Sequence, residues 1–132
     1  MPALTSDDLF QLAAQLSAMA KSVEAQRLRN PRRSAEDKSL QAVRDRLLNA
    51  SSDLAASSIN VALNQLSPHY DAMLSVLRGL KAELAREEKL SRIFAFADAA
   101  LAIAAAFASG DIAGVLGAIA GAKKLLTPAV SS

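Results

Sequence analysis

The segment from residue 93 to residue 126 constrains the fold of this chain more than any other part of the sequence. Within residues 93–122 only Asp98 and Asp111 carry a charge. Alanine and glycine are interspersed there with large apolar side chains. A helical stretch of this composition must bury its apolar surface against other helices, a second chain or lipid. How residues 93–126 are covered is therefore the main question that the sequence raises.

The tripeptide Ser109-Gly110-Asp111 predicts a short turn between two helices of this segment. Glycine suits the left-handed position that follows a helix, and aspartate is a favoured N-cap. Three further glycines lie on one stripe of the second helix, where each costs about 1 kcal/mol relative to alanine. We expect close backbone packing in an apolar helical hairpin as the reason. Its predicted packing residues are Ala99, Ile103, Ala106, Gly110, Gly114, Gly117 and Gly121.

The same hairpin register brings Asp98 close to Lys123 and Lys124 at the open end. We predict an ion pair there, and the alternative is that Asp98 faces water on the polar side of its helix. The larger apolar residues of the hairpin form a second surface that its own packing leaves uncovered. This candidate face for a partner or for lipid contains Phe94, Phe96, Leu101, Phe107, Ile112, Val115, Leu116 and Ile119.

The rest of the chain predicts an all-α fold, because helix-forming residues dominate and no run alternates apolar with polar residues as a strand would. Pro31, Pro68 and Pro128 mark boundaries. We expect an antiparallel bundle of four helices, at residues 6–28, 34–66, 68–109 and 112–126. The third helix contains no proline or glycine between residues 80 and 109, so we expect continuity or a mild kink, with a break near residues 88–91 as the alternative.

These helices predict a single domain over residues 1–132. It comprises an N-terminal helix with a basic connector (1–33), a long helical hairpin (34–92), the apolar hairpin (93–126) and a tail (127–132). Helix-period spacing predicts the core face of the first helix and of the third. The core residues predicted in this way are Leu9, Leu12, Leu16, Met19, Val23, Met73, Leu77, Leu80 and Leu84.

The positive charge of the chain is concentrated early. The formal net charge is +2, yet eight Lys and Arg residues stand against four acidic residues between positions 21 and 46. A candidate anion-binding patch consists of Arg27, Arg29, Arg32 and Arg33. The alternative is a solvated connector whose cations lie at the C-terminus of a helix, where the helix dipole favours them.

The sequence offers little catalytic chemistry. The absence of cysteine excludes disulfides, zinc–thiolate sites and thiol catalysis. His69 is the sole histidine and has no Glu-x-x-His partner for a carboxylate-bridged metal site. The run from Gly117 to Lys124 lacks the spacing of a phosphate-binding loop. We therefore expect a protein that is not an enzyme, with no cofactor, no metal, no small-molecule substrate and no nucleic-acid partner.

Two functions remain, and the sequence leaves both open. In the first, a non-catalytic interaction or assembly protein uses the apolar hairpin or a helix face to bind a protein partner or a second copy. In the second, a membrane-active protein inserts residues 93–126 conditionally, and in this it would resemble the helical pore-forming toxins in architecture. A permanent span is not expected, because the predicted hairpin helices have only 17 and 15 residues. The N-terminus lacks a secretory signal, which makes the cytoplasm the default location and leaves signal-less export or membrane association open.

Overall fold

The computed structural model describes residues 6–29, 33–56, 67–87 and 89–126, and all regular structure in these ranges is helical. The all-α prediction is confirmed for this part of the chain. A short 3₁₀ turn, Ser67–His69, precedes the third α-helix. The α-helices are α1 (Ser6–Arg29), α2 (Ser34–Ala56), α3 (Tyr70–Arg86), α4 (Leu90–Ser109) and α5 (Ile112–Leu126).

The helix bounds agree with the sequence expectations at the two ends of the chain and differ in the middle. The predicted continuation of the second helix over residues 57–66 lies outside the described residues, as do Arg32 and the predicted tail 127–132. The expected continuity of the third helix is wrong. The alternative, a break near residues 88–91, agrees with the structure, because α3 ends at Arg86 and α4 begins at Leu90. The described residues thus contain five α-helices rather than the four expected.

The break between α3 and α4 occurs without proline or glycine. Glu87 and Lys89 have extended backbones, with ψ angles of 135° and 120°. The side-chain amide of Gln26 in α1 donates a hydrogen bond to the Glu87 carbonyl oxygen. The Glu87 carboxylate in turn accepts hydrogen bonds from the Lys89 N–H at 3.0 Å and from Arg92 Nε at 2.8 Å. A contact from a distant helix therefore fixes a bend that local propensity does not predict.

Contacts along the helices give their relative directions. Ser51 Oγ of α2 donates to the Ala13 carbonyl oxygen of α1 at 2.8 Å, while Arg44 reaches Glu24 at 2.7 Å, so these helices run in opposite directions. The end of α1 meets the end of α3 through Gln26. Tyr70, at the start of α3, has a pKa raised mainly by burial and secondarily by Asp8, near the start of α1, so α1 and α3 run in the same direction.

The C-terminal helices pack on this framework. The N-terminal part of α4 borders the N-terminal part of α2. Further along both helices, Leu101 and Ala105 of α4 border Ala50 and Leu54 of α2. Helices α2 and α4 therefore run in the same direction. Helix α4 contacts α2, α3 and α5, and α5 contacts α3 and α4. The Leu126 side chain at the end of α5 lies beside Gly79 of α3. Consecutive helices thus alternate in direction.

One continuous core lies between the five helices. All nine core residues predicted for α1 and α3 are buried, each at most 1% exposed. Leu40, Val43, Leu47 and Leu54 extend the core along α2. Leu48, next to the buried Leu47, is 42% exposed, whereas Ala50 and Ala55 pack against the edge of the core. Helix α2 thus buries one side and leaves Leu48 at the surface.

Candidate interaction surface on the C-terminal helices

The large apolar side chains of α4 and α5 mostly face the core. Phe96 and Phe107 are each 1% exposed, Val115 is fully buried and Ile119 is 5% exposed. Phe96, Phe107, Val115 and Ile119 are therefore covered in the folded chain and do not offer a surface to a partner there. Their contact with lipid after insertion stays a prediction. These side chains are covered because α4 and α5 both pack on α3 as well as on each other. Helix α3 therefore covers faces that an isolated hairpin would leave open.

The other four residues of that predicted face are more accessible. Phe94, Leu101 and Ile112 are half-buried and pack against the edge of the core. Leu116 is 45% exposed. Of the predicted face, Leu116 thus presents the most accessible large side chain to solvent.

The turn between α4 and α5 has a defined geometry. Gly110 adopts a left-handed backbone conformation with a φ angle of 72°, and its N–H bonds to the carbonyl oxygens at the end of α4. The Asp111 carboxylate accepts a hydrogen bond from the Gly114 N–H at 2.9 Å, which caps the start of α5. A glycine and an aspartate at these positions therefore reverse the chain in two residues.

The three glycines of α5 do not share the same surroundings. A Cβ atom at Gly114 would lie 3.3 Å from Ala106 Cβ and 2.5 Å from Asp111 Oδ2, so this glycine fills a close approach. A Cβ atom at Gly117 or Gly121 would meet no heavy atom within 4 Å. The prediction that Gly117 and Gly121 pack inside the hairpin is therefore wrong.

Burial of larger side chains explains this orientation. The inner face of α5 carries Val115, Ile119 and Ala122. Ile103 is buried on α4, and Ala99 and Ala106 are half-buried. Burying a valine or isoleucine side chain contributes about 1.5–3 kcal/mol, which exceeds the gain from bringing glycine backbones together. The helix consequently turns its branched residues inward and two of its glycines outward.

The outward side of α5 is flat and apolar along most of its length. We call it the α5 outer face, and its exposed residues are Ala113, Leu116, Gly117, Ala120, Gly121 and Lys124. Gly117 and Gly121 form a Gly-x-x-x-Gly pair with Ala113 one interval earlier. Such spacing lets the backbone of another helix approach closely. Asp111 and Lys124, at opposite ends of the face, are both exposed.

The predicted ion pair of Asp98 with Lys123 or Lys124 is not formed. Asp98 is exposed and lines a depression of about 230 Å³ with Val43 and Arg46 of α2, on the α2 side of α4. A second depression of about 310 Å³ shares Arg46 and lies further along the same seam. Four alanines line it, Ala50 of α2 and Ala104, Ala105 and Ala108 of α4, together with larger and polar side chains. The small side chains of α4 thus leave a shallow groove against α2.

One arginine of the predicted anion patch is held in internal ion pairs. Arg27 contacts Glu24 at 3.1 Å and Asp37 at 3.4 Å, so its charge is balanced within the α1–α2 seam. A hydrogen bond from Arg44, followed by one from Arg27, lowers the pKa of Glu24 below its ordinary value. Arg29 and Arg33 are exposed, and Arg32 lies outside the described residues. Arg27 thus takes part in internal ion pairs, and an anion site that includes the other three arginines stays a prediction.

Gln26 is a residue that sequence reasoning missed. It is fully buried at the end of α1 and reaches the α3–α4 junction. The sequence does indicate its position, because Gln26 lies three residues after Val23 and so continues the apolar face of α1. A glutamine on a core-facing seam needs a hydrogen-bond partner, because an unsatisfied buried amide is costly.

The described residues offer no metal site on this surface. Among the described residues, no group of three His, Asp or Glu side chains is placed to hold a metal ion. Within the same ranges α4 is the one helix that is long and apolar enough to cross a membrane, with a mean hydropathy of 1.7. Comparison with protein-family models, curated proteins and solved structures finds no match to this chain.

Proposed function

We propose that this chain is a non-catalytic helical assembly protein, an antiparallel bundle whose apolar C-terminal hairpin associates with a second copy through the α5 outer face. The observation that carries the proposal is the outward position of Gly117 and Gly121. They leave a strip of helix that nothing in the described structure contacts, beside a Leu116 side chain that is 45% exposed. A glycine in a helix interior costs about 1 kcal/mol relative to alanine, and internal packing does not account for either one.

Charge complementarity favours a second copy as the occupant. If two α5 helices cross antiparallel at Gly117, Ala113 of one copy faces Gly121 of the other, because both lie four positions from the centre. Lys124 then lies close to Asp111 of the second copy, at both ends of the pair. A parallel arrangement would instead place the two Asp111 carboxylates together. The face is thus self-complementary about a twofold axis, as an isologous dimer requires.

The expected dimer is weak. One helix of 15 residues pairing with its copy buries less surface than a standard interface of about 1,600 Å². We therefore expect a dissociation constant in the micromolar range or above.

Sedimentation velocity over about 1–500 μM, a range that spans such affinities, tests association. The native chain should shift from monomer to dimer, and Gly117→Leu should remain monomeric while it keeps the helical circular dichroism of the native chain. Ala25→Leu, at an exposed position on α1, is the matched control and should dimerise like the native chain. A native chain that stays monomeric throughout, or a Gly117→Leu variant that dimerises equally, would sink the proposal.

A double-mutant cycle tests the antiparallel register. Asp111→Asn retains a side-chain oxygen for the N-cap but removes the charge, and Lys124→Gln removes its partner charge. Each single change should weaken dimerisation by about two- to fivefold, and the double change should weaken it little further, as expected for coupled charges. Fully additive effects would contradict the antiparallel register and leave association through α5 intact.

A further inference from the structure

The chain across the α3–α4 junction has the composition of a continuous helix. Residues 81–92 read KAELAREEKLSR and contain neither glycine nor proline. Lysine, glutamate, leucine, alanine and arginine all have high helix propensity. In a continuous helix Glu88 and Arg92 would also form a favourable pair at the i,i+4 spacing. The bend at Glu87 therefore opposes the local preference of the segment.

Gln26 supplies the contact that opposes this preference. Its side chain is fully buried, and its amide nitrogen donates to the Glu87 carbonyl oxygen, across 61 residues of sequence. The last carbonyl groups of a helix lack partners within the helix and need an external donor. Loss of the Gln26 amide would remove this hydrogen bond from the bent form.

Contacts within the junction then stabilise the bent form. The Glu87 carboxylate accepts hydrogen bonds from the Lys89 N–H and from Arg92. The Arg92 guanidinium also lies 4.9 Å from the ring centre of Phe96. Lys89, the N-cap residue of α4, makes no side-chain capping hydrogen bond of its own. The start of α4 is thus held through Glu87 rather than by a conventional cap.

Helix α4 is suited to two environments. Its most apolar window of 18 residues has a mean hydropathy of 1.7, and only 39% of that window is buried in the bundle. Helix α5, which follows it, ends with the exposed residues Lys123 and Lys124. Basic residues beside apolar helices favour anionic lipid headgroups.

We propose that Gln26 controls a conformational switch, in which loss of its hydrogen bond to Glu87 lets residues 70–109 form one continuous helix that transfers α4 from the bundle to an anionic lipid bilayer. The straightened helix has 40 residues and a length of about 60 Å at 1.5 Å per residue. It satisfies the Glu87 carbonyl within the helix, and acyl chains replace the protein neighbours of α4. The switch does not require self-association through the α5 outer face.

The distance between two spin labels measures the switch directly. The chain has no cysteine, so Ser75→Cys in α3 and Ala102→Cys in α4 give two unique labelling sites, both exposed. In the bundle these helices pack side by side and the labels should lie within about 25 Å. In a continuous helix the 27 intervening steps separate them by about 40 Å. The measurement is made in buffer and on phosphatidylcholine vesicles containing phosphatidylglycerol.

Three variants in the doubly labelled protein identify the controlling contact. Gln26→Leu should raise the fraction with the long distance by about tenfold at a fixed lipid concentration, the shift expected from losing one buried hydrogen bond. Gln15→Leu is the matched control, because Gln15 is also buried on α1 but bonds only within its own helix to Gln11. It should leave the distance distribution unchanged.

Leu90→Pro should prevent the switch while preserving the bent form. Leu90 is the first residue of α4, where proline is tolerated, and the extended Lys89 suits a residue that precedes proline. In a continuous helix the same proline would be interior and cost about 3 kcal/mol. Leu90→Pro should therefore show only the short distance on vesicles.

The labelled native chain decides the proposal even if a variant fails to fold. Vesicle binding together with the long distance supports it. Absence of binding, a short distance in the vesicle-bound protein, or a long distance that Leu90→Pro leaves unchanged would overturn it.

Discussion

Two glycines three positions apart on α5 have opposite surroundings. Gly114 lies against Ala106 and its own cap residue Asp111, so a methyl group there would displace the cap or separate α4 from α5. Gly117 has open space where its Cβ would lie. The same residue type therefore contributes close packing at one position and an exposed flat surface at the other.

Replacing each glycine with alanine should separate these roles. Gly117→Ala should raise the free energy of unfolding by about 0.5–1 kcal/mol, because alanine has the higher helix propensity and meets no clash. Gly114→Ala should give no such gain or should destabilise, since its Cβ would come within 2.5 Å of Asp111 Oδ2. Urea unfolding at low protein concentration measures both, and equal effects at the two positions would contradict the assigned surroundings.

The seam between α1 and α2 shows how elements are joined by charge as well as by apolar packing. Glu24 of α1 accepts hydrogen bonds from Arg44 of α2 at 2.7 Å and from Arg27 of its own helix at 3.1 Å. Both arginines favour the ionised carboxylate, which lowers the pKa of Glu24 below its ordinary value of 4.5. The carboxylate is partly exposed, so solvent screening limits what this pair contributes.

Glu24→Gln should therefore destabilise the protein only when the carboxylate is ionised. Since the folded state lowers the pKa, the contribution is present above the unfolded carboxyl pKa and is lost as the pH falls through the folded-state pKa. We expect a loss of at most about 1 kcal/mol at neutral pH, and none at a pH below both pKa values. Urea unfolding at the two pH values gives the difference.

The control for this measurement is Asp98→Asn. Asp98 is exposed in the middle of α4, and no ion pair joins it to another described residue. It should change stability little at either pH. A Glu24→Gln deficit that persists unchanged at acid pH would show that packing, rather than charge, accounts for it.

On the scale of the whole molecule, the bundle covers one side of α5 and leaves the other side open. Helices α3 and α4 contact its inner face, and the α5 outer face has no protein neighbour in the described structure. A twofold axis through Gly117 would bring that position in one chain close to the same position in a second chain. The proposed twofold symmetry thus predicts which pair of identical residues meets.

Cysteine cross-linking should detect this meeting. The native chain has no cysteine, so Gly117→Cys introduces a single thiol at the centre of the proposed axis. Mild oxidation should give a disulfide-linked dimer, because helices that cross at glycines approach within the Cα separation that a disulfide requires. Ala25→Cys, at an exposed site on α1, should remain largely monomeric on a non-reducing gel. Equal cross-linking of both variants would indicate random collision.

The sequence predicts most of the local structure because local structure depends on nearby residues. The seam from Leu9 to Val23, the left-handed Gly110 and the Asp111 cap follow from periodicity and turn chemistry. The rotation of α5 about its own axis cannot be predicted from periodicity and turn chemistry. The side of α5 that carries the glycines and the side that carries Val115 and Ile119 are both apolar. Which side faces the core depends on which one α3 and α4 can bury.

The sequence by itself determined that the described part of this chain is helical, where α1 and α5 begin and end, and that residues 93–126 are apolar. Tertiary structure decided that the chain bends at Glu87, that Val115 and Ile119 face the core, and that Gly117 faces outward. The physical reason is that propensity and capping act over one or two turns of a helix. A hydrogen bond from Gln26 and the burial of branched side chains act between residues that are distant in sequence, and at these positions they prevail over the local preference.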